Sequence, residues 1–263
     1  TADTLSGGKI SYLLHGAIVA GSITPGSAYA AITLPDGTSG YAPAAALTPL
    51  DSLAARATDT RTVIATAAAA LGAPYLWGGT TLLAPDCSGL VKRAYFATGI
   101  ILPRDASQQA LVGIPVPHRD PSQWQRGDLL FFSGSDPRKI THVAIYDTDT
   151  RFIHASGKVF VSSVNPADPL WIPRPVVKVM RIAGAENTPG ITHRLSPPLL
   201  LPPMKRILAS LAAIILSASA LISAQQPTDA PKPKHYYLDD VAQFVPSLAN
   251  ATLTLCGQGV SMH

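Results

Sequence analysis

The feature that most constrains this sequence is an isolated cysteine, Cys87, followed by two histidines in strand-like runs. Cys87 is the only cysteine before Cys256, and it stands at the start of a run with helical periodicity. His142 and His154 each lie in a short run rich in apolar and β-branched residues. Because a nucleophilic thiol works with a nearby base, this pattern predicts a thiol with imidazole partners, in a fold that mixes helices and strands.

Composition narrows the classes of function. The 263 residues are 47% hydrophobic and only 14% charged, which is enough for one or two domains with a packed core. The net charge of +4 comes from scattered Lys and Arg residues without a basic run, so we expect no nucleic-acid partner. The two cysteines lie in segments of different character, which argues against a disulfide framework. The sequence has no cluster with metal-ligand spacing, and we predict neither a metal nor a cofactor.

Residues 1–50 predict a small β-barrel. Strand-like runs alternate with turn signals at Thr24-Pro25-Gly26 and Pro35-Asp36-Gly37. The candidate strands are Ile10 to Leu14, His15 to Ala20, Ala28 to Leu34 and Gly40 to Ala42. The barrel is short, and because the chain starts at Thr1 rather than Met, we expect the N-terminus to be truncated and any export signal to be lost with it.

Residues 58–183 predict an α+β domain. Helical patterns cover 58–72, Cys87 to Thr98 and Asp105 to Val112, and Asp86 occupies the N-cap position of the second helix. The strand-like runs that follow are Asp128 to Phe132, His142 to Asp147, Arg151 to Ala155, Lys158 to Ser162 and Val176 to Ile182. Helices followed by a run of strands indicate helices packed on an antiparallel sheet.

The remaining residues have a different character. Residues 184–203 are proline-rich and predict a linker. Residues 204–224 have the anatomy of a signal peptide, with a basic start, a hydrophobic helix expected at 207–222 and a small residue before a polar run. Three interpretations are open: a second reading frame joined to the first, an anchor in contact with the membrane, or an ordinary buried helix. Residues 225–263 form an unassigned tail.

Cys87, His142 and His154 each have a possible catalytic role, and Cys87 and His142 also have a simpler structural one. The dipole and free amides of a helix start are expected to favour the Cys87 thiolate, and a neighbouring imidazolium would favour it further. His142 suits a general base because an ordinary imidazole titrates near neutral pH. His154 is expected to pair with His142 across a short turn and to hold its ring. Taken alone, Cys87 would be a buried apolar residue and His142 a core histidine.

Five ordered motifs resemble the signatures of the NlpC/P60 family. They are YLWGGTTLLAPDCSGLV, ILPRDASQQ, RGDLLFF, THVAIY and RFIHAS, and the resemblance covers about residues 60–182. It implies a papain-like α+β fold and a Cys-His-His triad of Cys87, His142 and His154. It also implies a cysteine endopeptidase that hydrolyses peptidoglycan stem peptides or muropeptides, commonly between γ-D-glutamate and a diamino acid, through a thioester and without a cofactor.

The same resemblance assigns roles to four more residues. Tyr75 resembles the tyrosine that lines the site and helps to bind the oxyanion, together with the backbone amide of Cys87. Asp86 and Ser88 resemble residues that bind the amino group or backbone of the stem peptide, while Asp86 can equally serve only as a helix cap. Arg104 is expected to pair with a neighbouring acid or with a substrate carboxylate.

Other motif residues suit structural roles. Trp77, Gly78 and Gly79 predict loop packing and turn geometry, and Gly127-Asp128 predicts a turn into the next strand. The run 40–47 resembles the last strand and closing turn of bacterial SH3 (SH3b) domains. An SH3b domain ahead of an NlpC/P60 domain implies a narrowed cleft that favours stem peptides with a free N-terminal L-alanine.

The leading hypothesis is therefore a cell-wall cysteine endopeptidase in the periplasm, in the wall or secreted, with a cytoplasmic recycling enzyme as a variant. Two other functions are open on the same fold: a catalytically silent wall-binding module, and a thiol acyltransferase or amidase. The intact Cys87, His142 and His154 argue against the silent module. The match to hydrolase motifs favours the peptidase over the acyltransferase.

Overall fold

The computed structural model describes residues 12–185 and the backbone of four short segments beyond them. Its strands are β1 (Ile18–Ser22), β2 (Tyr29–Thr33), β3 (Ser39–Pro43), β4 (Leu47–Pro49), β5 (Ile100–Ile101), β6 (Ile114–Val116), β7 (Leu129–Ser133), β8 (Ile140–Tyr146), β9 (Arg151–Ser156), β10 (Lys158–Ser163), β11 (Val176–Arg181), β12 (His193–Arg194), β13 (Lys234–Leu238), β14 (Thr252–Leu255) and β15 (Gln258–Ser261). Its α-helices are α1 (Leu50–Ala55), α2 (Thr60–Ala68), α3 (Cys87–Phe96) and α4 (Ala106–Gln109).

The N-terminal part forms an antiparallel sheet with the strand order β3-β2-β1-β13-β4. Its small core is made of alternate residues from these strands, including Val19, Ile32 and Leu47. The predicted strand at Ile10 to Leu14 is not formed over its described part, because the chain turns at Leu14 and the amide of Ala17 donates to the Leu14 carbonyl at 2.8 Å. The tail strand β13 instead pairs with β1 and β4.

The central part is a six-stranded antiparallel sheet with the order β10-β9-β8-β7-β11-β6. Leu90 and Tyr95 of α3 pack on one face of this sheet, against Val143 of β8 and its neighbours. Each fully buried side chain of this size contributes about 2 kcal/mol of hydrophobic stabilisation. The predicted α+β architecture, with helices on an antiparallel sheet, is confirmed.

The opposite face of the central sheet carries a second, aromatic cluster. Its buried members are Trp124, Leu130, Phe132, Ala144, Tyr146, Phe152 and Val179. Because strand side chains alternate between faces, His142 and His154 lie on this aromatic side, whereas the neighbouring Val143 lies under α3. Strand β8 therefore carries both Val143, which packs in the same cluster as Cys87, and the neighbouring His142.

Gly127-Asp128 performs the structural role predicted for it. Gly127 has a positive φ of 92°, and its carbonyl accepts a hydrogen bond from the Tyr95 hydroxyl. The buried Asp128 carboxylate pairs with Arg181 of β11 through two hydrogen bonds at 2.8 and 2.7 Å. This ion pair ties the start of β7 to the end of β11.

The helices are shorter than the sequence predicts. Helix α2 ends at Ala68 because the amides of Ala70 and Leu71 turn to carbonyls three residues back, which tightens the chain ahead of Gly72. Helix α1 was not anticipated by the pattern at all. Over residues 12–185, none of the helices is both long and apolar enough to cross a membrane. The expected hydrophobic helix at 207–222 lies outside the described residues.

Candidate active site

Cys87 is the first residue of α3, as the sequence predicts, and Asp86 caps the helix. One carboxylate oxygen of Asp86 accepts the amide of Gly89 at 2.7 Å, and the other accepts the amide of Gly78 at 3.0 Å. The cap satisfies an amide that a helix start leaves free and also holds the 75–79 loop against the helix. Cys87 is buried at this junction, with 8% of its surface exposed.

The junction depends on a close approach of two backbone segments. A Cβ atom added at Gly89 would lie 2.0 Å from the carbonyl oxygen of Gly79, which also accepts the amide of Asp86 at 3.1 Å. A Cβ at Gly79 would lie 1.9 Å from the carbonyl oxygen of Ala84. Both glycines are therefore required for the loop to pack on the first turn of α3.

Arg104 closes a polar network on this side of the site. Its guanidinium donates to both carboxylate oxygens of Asp86 and to Ser88 Oγ, the last at 2.9 Å. Burial works against charge on Asp86, but the hydrogen bonds from Arg104 and Gly89 outweigh it and lower the pKa of the carboxyl. Of the two expected partners of Arg104, the structure provides the neighbouring acid.

The Cys87 thiol is less acidic than the sequence suggests. Burial raises its pKa, and the negative charge of Asp86 raises it further. Hydrogen bonds from the backbone amides of Val143, Ser88 and Cys87 itself oppose this shift without reversing it. The amides of the helix start favour the thiolate as expected, but desolvation outweighs them in the free protein.

Two histidines and a serine form a buried chain of hydrogen bonds. His142 Nε2 lies 2.8 Å from His154 Nδ1, and His154 Nε2 lies 3.0 Å from Ser162 Oγ. The antiparallel pairing of β8 with β9 and of β9 with β10 brings the three side chains together. All three are at most 5% exposed. This arrangement leaves His142 Nδ1 as the ring nitrogen outside the chain of hydrogen bonds.

Both imidazoles are held in their neutral form. Burial, followed by the neighbouring His154 and Arg174, lowers the pKa of His142 to about 3. Burial, followed by Arg174, lowers the pKa of His154 to about 4. At neutral pH, therefore, neither ring supplies the imidazolium that would favour a thiolate at Cys87. The site instead presents a neutral thiol and neutral imidazoles.

The loop 75–79 brings Tyr75 close to the thiol and leaves Trp77 in solvent. Burial raises the pKa of Tyr75, and the charges of Cys87 and Asp86 raise it further, which places its ring within electrostatic reach of both. Gly78 adopts the left-handed conformation of a turn. Trp77 is 87% exposed, so the packing role predicted for it is wrong.

Three residues of the site escaped sequence reasoning. Ser162 lies on a strand of ordinary composition, and only its alignment with β9 brings it to His154. Arg174 lies in the 164–175 connection between β10 and β11 and reaches Thr141, which precedes His142 on β8. Gln109 is fully buried, and its Nε2 donates to the carbonyls of Ser88 and Pro103 at 3.0 Å each. Across residues 12–185, no group of three His, Cys, Asp or Glu side chains is arranged to hold a metal ion.

Comparison with known proteins relates the chain to one family. The NlpC/P60 family model matches residues 72–179. The chain is 39% identical over 112 residues to dipeptidyl-peptidase 6 of Lysinibacillus sphaericus, covering 41% of this chain and 38% of that protein. It is 40% identical over 94 residues to the gamma-D-glutamyl-L-lysine dipeptidyl-peptidase of Bacillus subtilis strain 168, covering 35% and 31%. The chain thus spans less than half the length of these two relatives.

A solved structure and a shorter relative complete the comparison. A crystal structure of an NlpC/P60 family protein from Bacillus cereus superposes with a TM-score of 0.54 at 24% identity, over 65% of this chain and 62% of that chain, and confirms the mixed helix and sheet fold. The probable endopeptidase NlpC of Escherichia coli K12 is 41% identical over 109 residues, which cover 39% of this chain and 68% of that protein. The chain therefore belongs to the NlpC/P60 family.

Proposed function

We propose that the domain at 58–183 is a cysteine endopeptidase of peptidoglycan stem peptides. The observation that carries the proposal is the buried thiol of Cys87 at a capped helix start. The backbone of Val143 donates a hydrogen bond to this thiol, and the preceding residue on the same strand, His142, begins the hydrogen-bonded series His142–His154–Ser162. The names of the relatives, peptidases and dipeptidyl-peptidases of γ-D-glutamyl bonds, point in the same direction. The proposed bond is the one between γ-D-glutamate and a diamino acid.

In the proposed mechanism, the hydrogen-bond chain selects the tautomer of the base. If Ser162 Oγ accepts the proton of His154 Nε2, then His154 Nδ1 must accept the proton of His142 Nε2. His142 Nδ1 is then unprotonated and can take the thiol proton. The opposite direction would place a proton on His142 Nδ1 and disable the base.

The reaction then proceeds by acyl transfer. His142 removes the thiol proton as the Cys87 sulfur attacks the amide carbonyl, and the resulting imidazolium protonates the leaving amine as the carbon–nitrogen bond breaks. A water molecule, deprotonated by the same ring, hydrolyses the thioester and returns the thiol. The Cys87 amide and the Tyr75 hydroxyl are proposed to bind the oxyanion.

The remaining predicted site residues are proposed to position the substrate. Asp86 and Ser88 would face the amino end of the stem peptide from the helix start. Because the guanidinium of Arg104 is already engaged by Asp86, we assign it to holding this carboxylate in place, not to binding a substrate carboxylate.

The N-terminal sheet is proposed to be an SH3b-like module. Its support is the strand-rich pattern of 18–49 and the position directly before the catalytic domain. In this role it would narrow the cleft and favour peptides with a free N-terminal L-alanine. The proposed partners are stem peptides or muropeptides, in the periplasm, in the wall or outside the cell.

Product analysis tests this function. The full chain and its Cys87→Ala variant would be incubated with L-Ala-γ-D-Glu-meso-diaminopimelate and with whole muropeptides, and the products identified by mass spectrometry. Release of the diamino acid, or of its peptide, by the wild type alone supports the endopeptidase. A folded wild type that cleaves none of these substrates would favour the silent wall-binding module or an acyltransferase.

A further inference from the structure

Arg174 is a half-buried arginine beside the site whose charge has no acidic partner within residues 12–185. Its Nη2 donates to Thr141 Oγ1 at 3.1 Å. By contrast, Arg104 and Arg181 each pair with an aspartate at hydrogen-bond distance. Burial lowers the pKa of Arg174, although a guanidinium stays charged at any physiological pH. The guanidinium is partly withdrawn from water without a carboxylate of the described residues beside it, so a substrate anion could supply the missing partner.

The position of Arg174 relates it to the reacting groups. Thr141 immediately precedes His142 on β8. The Arg174 guanidinium carbon lies 5.7 Å from the Phe132 ring centroid, and that ring lies 5.6 Å from the His142 ring. Its charge lowers the pKa of both imidazoles and is felt by the Cys87 thiol. The guanidinium therefore lies within electrostatic reach of the nucleophile and of the base.

The backbone around Arg174 is rigid. The residue lies between Pro173 and Pro175, so the preceding ring fixes the φ of Pro173 and the following ring restricts Arg174 to extended conformations. Its amide also donates to the carbonyl of Ile172 at 2.8 Å. A guanidinium on a fixed backbone loses less conformational entropy when it binds a planar anion.

We propose that Arg174 is the receptor for a free substrate carboxylate beside the scissile amide, and we assign this carboxylate to the α-carboxylate of the γ-D-glutamyl residue. The inference rests on the proposed function. A γ-linked glutamate keeps its α-carboxylate free, and Arg104 cannot take this role because its guanidinium is engaged by Asp86. Arginine suits a carboxylate because its planar donors match the two oxygens.

This pairing would also act on the base. In the free protein the cation at Arg174 disfavours the imidazolium that His142 must become during acylation. A bound carboxylate neutralises this cation, so the base is strengthened only when a substrate with the correct anion is in place. A substrate whose glutamyl carboxylate is amidated to isoglutamine would lose both the binding contact and this effect.

The test compares kcat/KM for matched peptides that carry γ-D-glutamate or γ-D-isoglutamine, and for peptides whose diamino-acid carboxylate is free or amidated. The wild-type full chain is expected to prefer the glutamate peptide by about 10- to 100-fold, the usual range for a lost charge-assisted contact. Arg174→Gln should reduce this preference to within about threefold, by losing activity only on the glutamate peptide. Arg174→Lys should retain part of the preference.

Arg126→Gln is the matched control, because Arg126 is a partly exposed arginine paired with Asp147 just beyond the far end of β8. It should keep the wild-type preference. If Arg174→Gln does not fold, Thr141→Val removes the anchor of the guanidinium and should weaken the preference.

Three results would overturn the inference. The first is a wild type whose kcat/KM is unaffected by amidation at either position. The second is an Arg174→Gln variant that loses activity equally on the glutamate and isoglutamine peptides. The third is an Arg174→Gln variant that keeps the wild-type preference for the glutamate peptide. A preference that depends only on the diamino-acid carboxylate keeps the receptor but overturns its assignment to glutamate. Cleavage of none of the peptides by the folded wild type overturns the proposed function itself, and this inference with it.

Discussion

The Nε2 atom of His142 lies 2.8 Å from Nδ1 of His154, and both rings are buried and contact aromatic side chains of the same sheet. One proton lies between these two nitrogens, and His142 can act as a base only if its own Nε2 carries that proton. Because His154 is bonded in turn to Ser162, a hydroxyl two strands away takes part in that choice.

The acid limb of the pH–rate profile should lie far below that of an ordinary histidine. His142 must be neutral to accept the thiol proton, and its pKa is lowered to about 3. We expect kcat/KM to change little from about pH 7 to about pH 5 and to fall only below that range. The check is the pH dependence of kcat/KM on a γ-D-glutamyl peptide. An acid limb with its midpoint near the usual imidazole pKa would contradict the prediction.

Ser162→Ala should slow the reaction without weakening substrate binding. The change leaves a buried N–H of His154 without an acceptor and no longer favours the base-competent tautomer. We expect kcat to fall about 5- to 10-fold, the effect of about 1 to 1.4 kcal/mol, with KM unchanged. Ser162→Thr keeps the hydroxyl and serves as the control. Equal activity of the Ala and wild-type proteins would show that Ser162 has no positioning role.

Stability should decrease as the solution becomes acidic. Unfolded histidines take up protons near their ordinary pKa of about 6.5, whereas folded His142 and His154 resist protonation until about 3 and about 4. The unfolded state therefore binds more protons as pH falls through this window, at up to about 1.4 kcal/mol per pH unit for each ring. Urea unfolding at about pH 7.5 and about pH 5.5 should differ by about 2 to 3 kcal/mol.

The double variant His142→Gln, His154→Gln is the control for this measurement. It removes both rings and should flatten the dependence on pH over the same range. Wild-type stability that is constant between the two conditions would contradict the depressed pKa values of the imidazoles.

Asp86 and Arg104 should behave as a coupled pair. Arg104→Gln leaves the Asp86 carboxylate, whose side chain is only 9% exposed, without its cation. We expect a loss of about 2 kcal/mol, reduced from the value for a fully buried pair because one third of the Arg104 side chain contacts solvent. The double variant with Asp86→Asn should lose less than the sum of the single losses. Arg138→Gln, in an exposed pair with Asp136, should change stability by less than about 0.5 kcal/mol.

Local patterns predicted most of the central fold. The N-cap at Asp86, the helix start at Cys87 and the strands that carry His142 and His154 follow from capping chemistry and periodicity, which are properties of neighbouring residues.

Tertiary relationships could not be predicted in this way. Ser162 joins the site only through the alignment of β10 with β9, and Arg174 only through the path of the 164–175 connection. The protonation states of Cys87 and the histidines depend on how deeply the folded chain buries them. A helix start favours a thiolate when solvent or a cation assists, and here desolvation is the larger effect.

The central claim is that Cys87 forms a thioester with the γ-D-glutamyl part of the substrate. The most direct measurement is intact-protein mass spectrometry of the full chain, acid-quenched during turnover of L-Ala-γ-D-Glu-meso-diaminopimelate, with Cys87→Ala as the control. We predict an adduct with the mass of the L-Ala-γ-D-glutamyl group, located on the peptide that contains Cys87 and absent from the variant. Cleavage that persists in Cys87→Ala, or an adduct on another residue, would contradict the account.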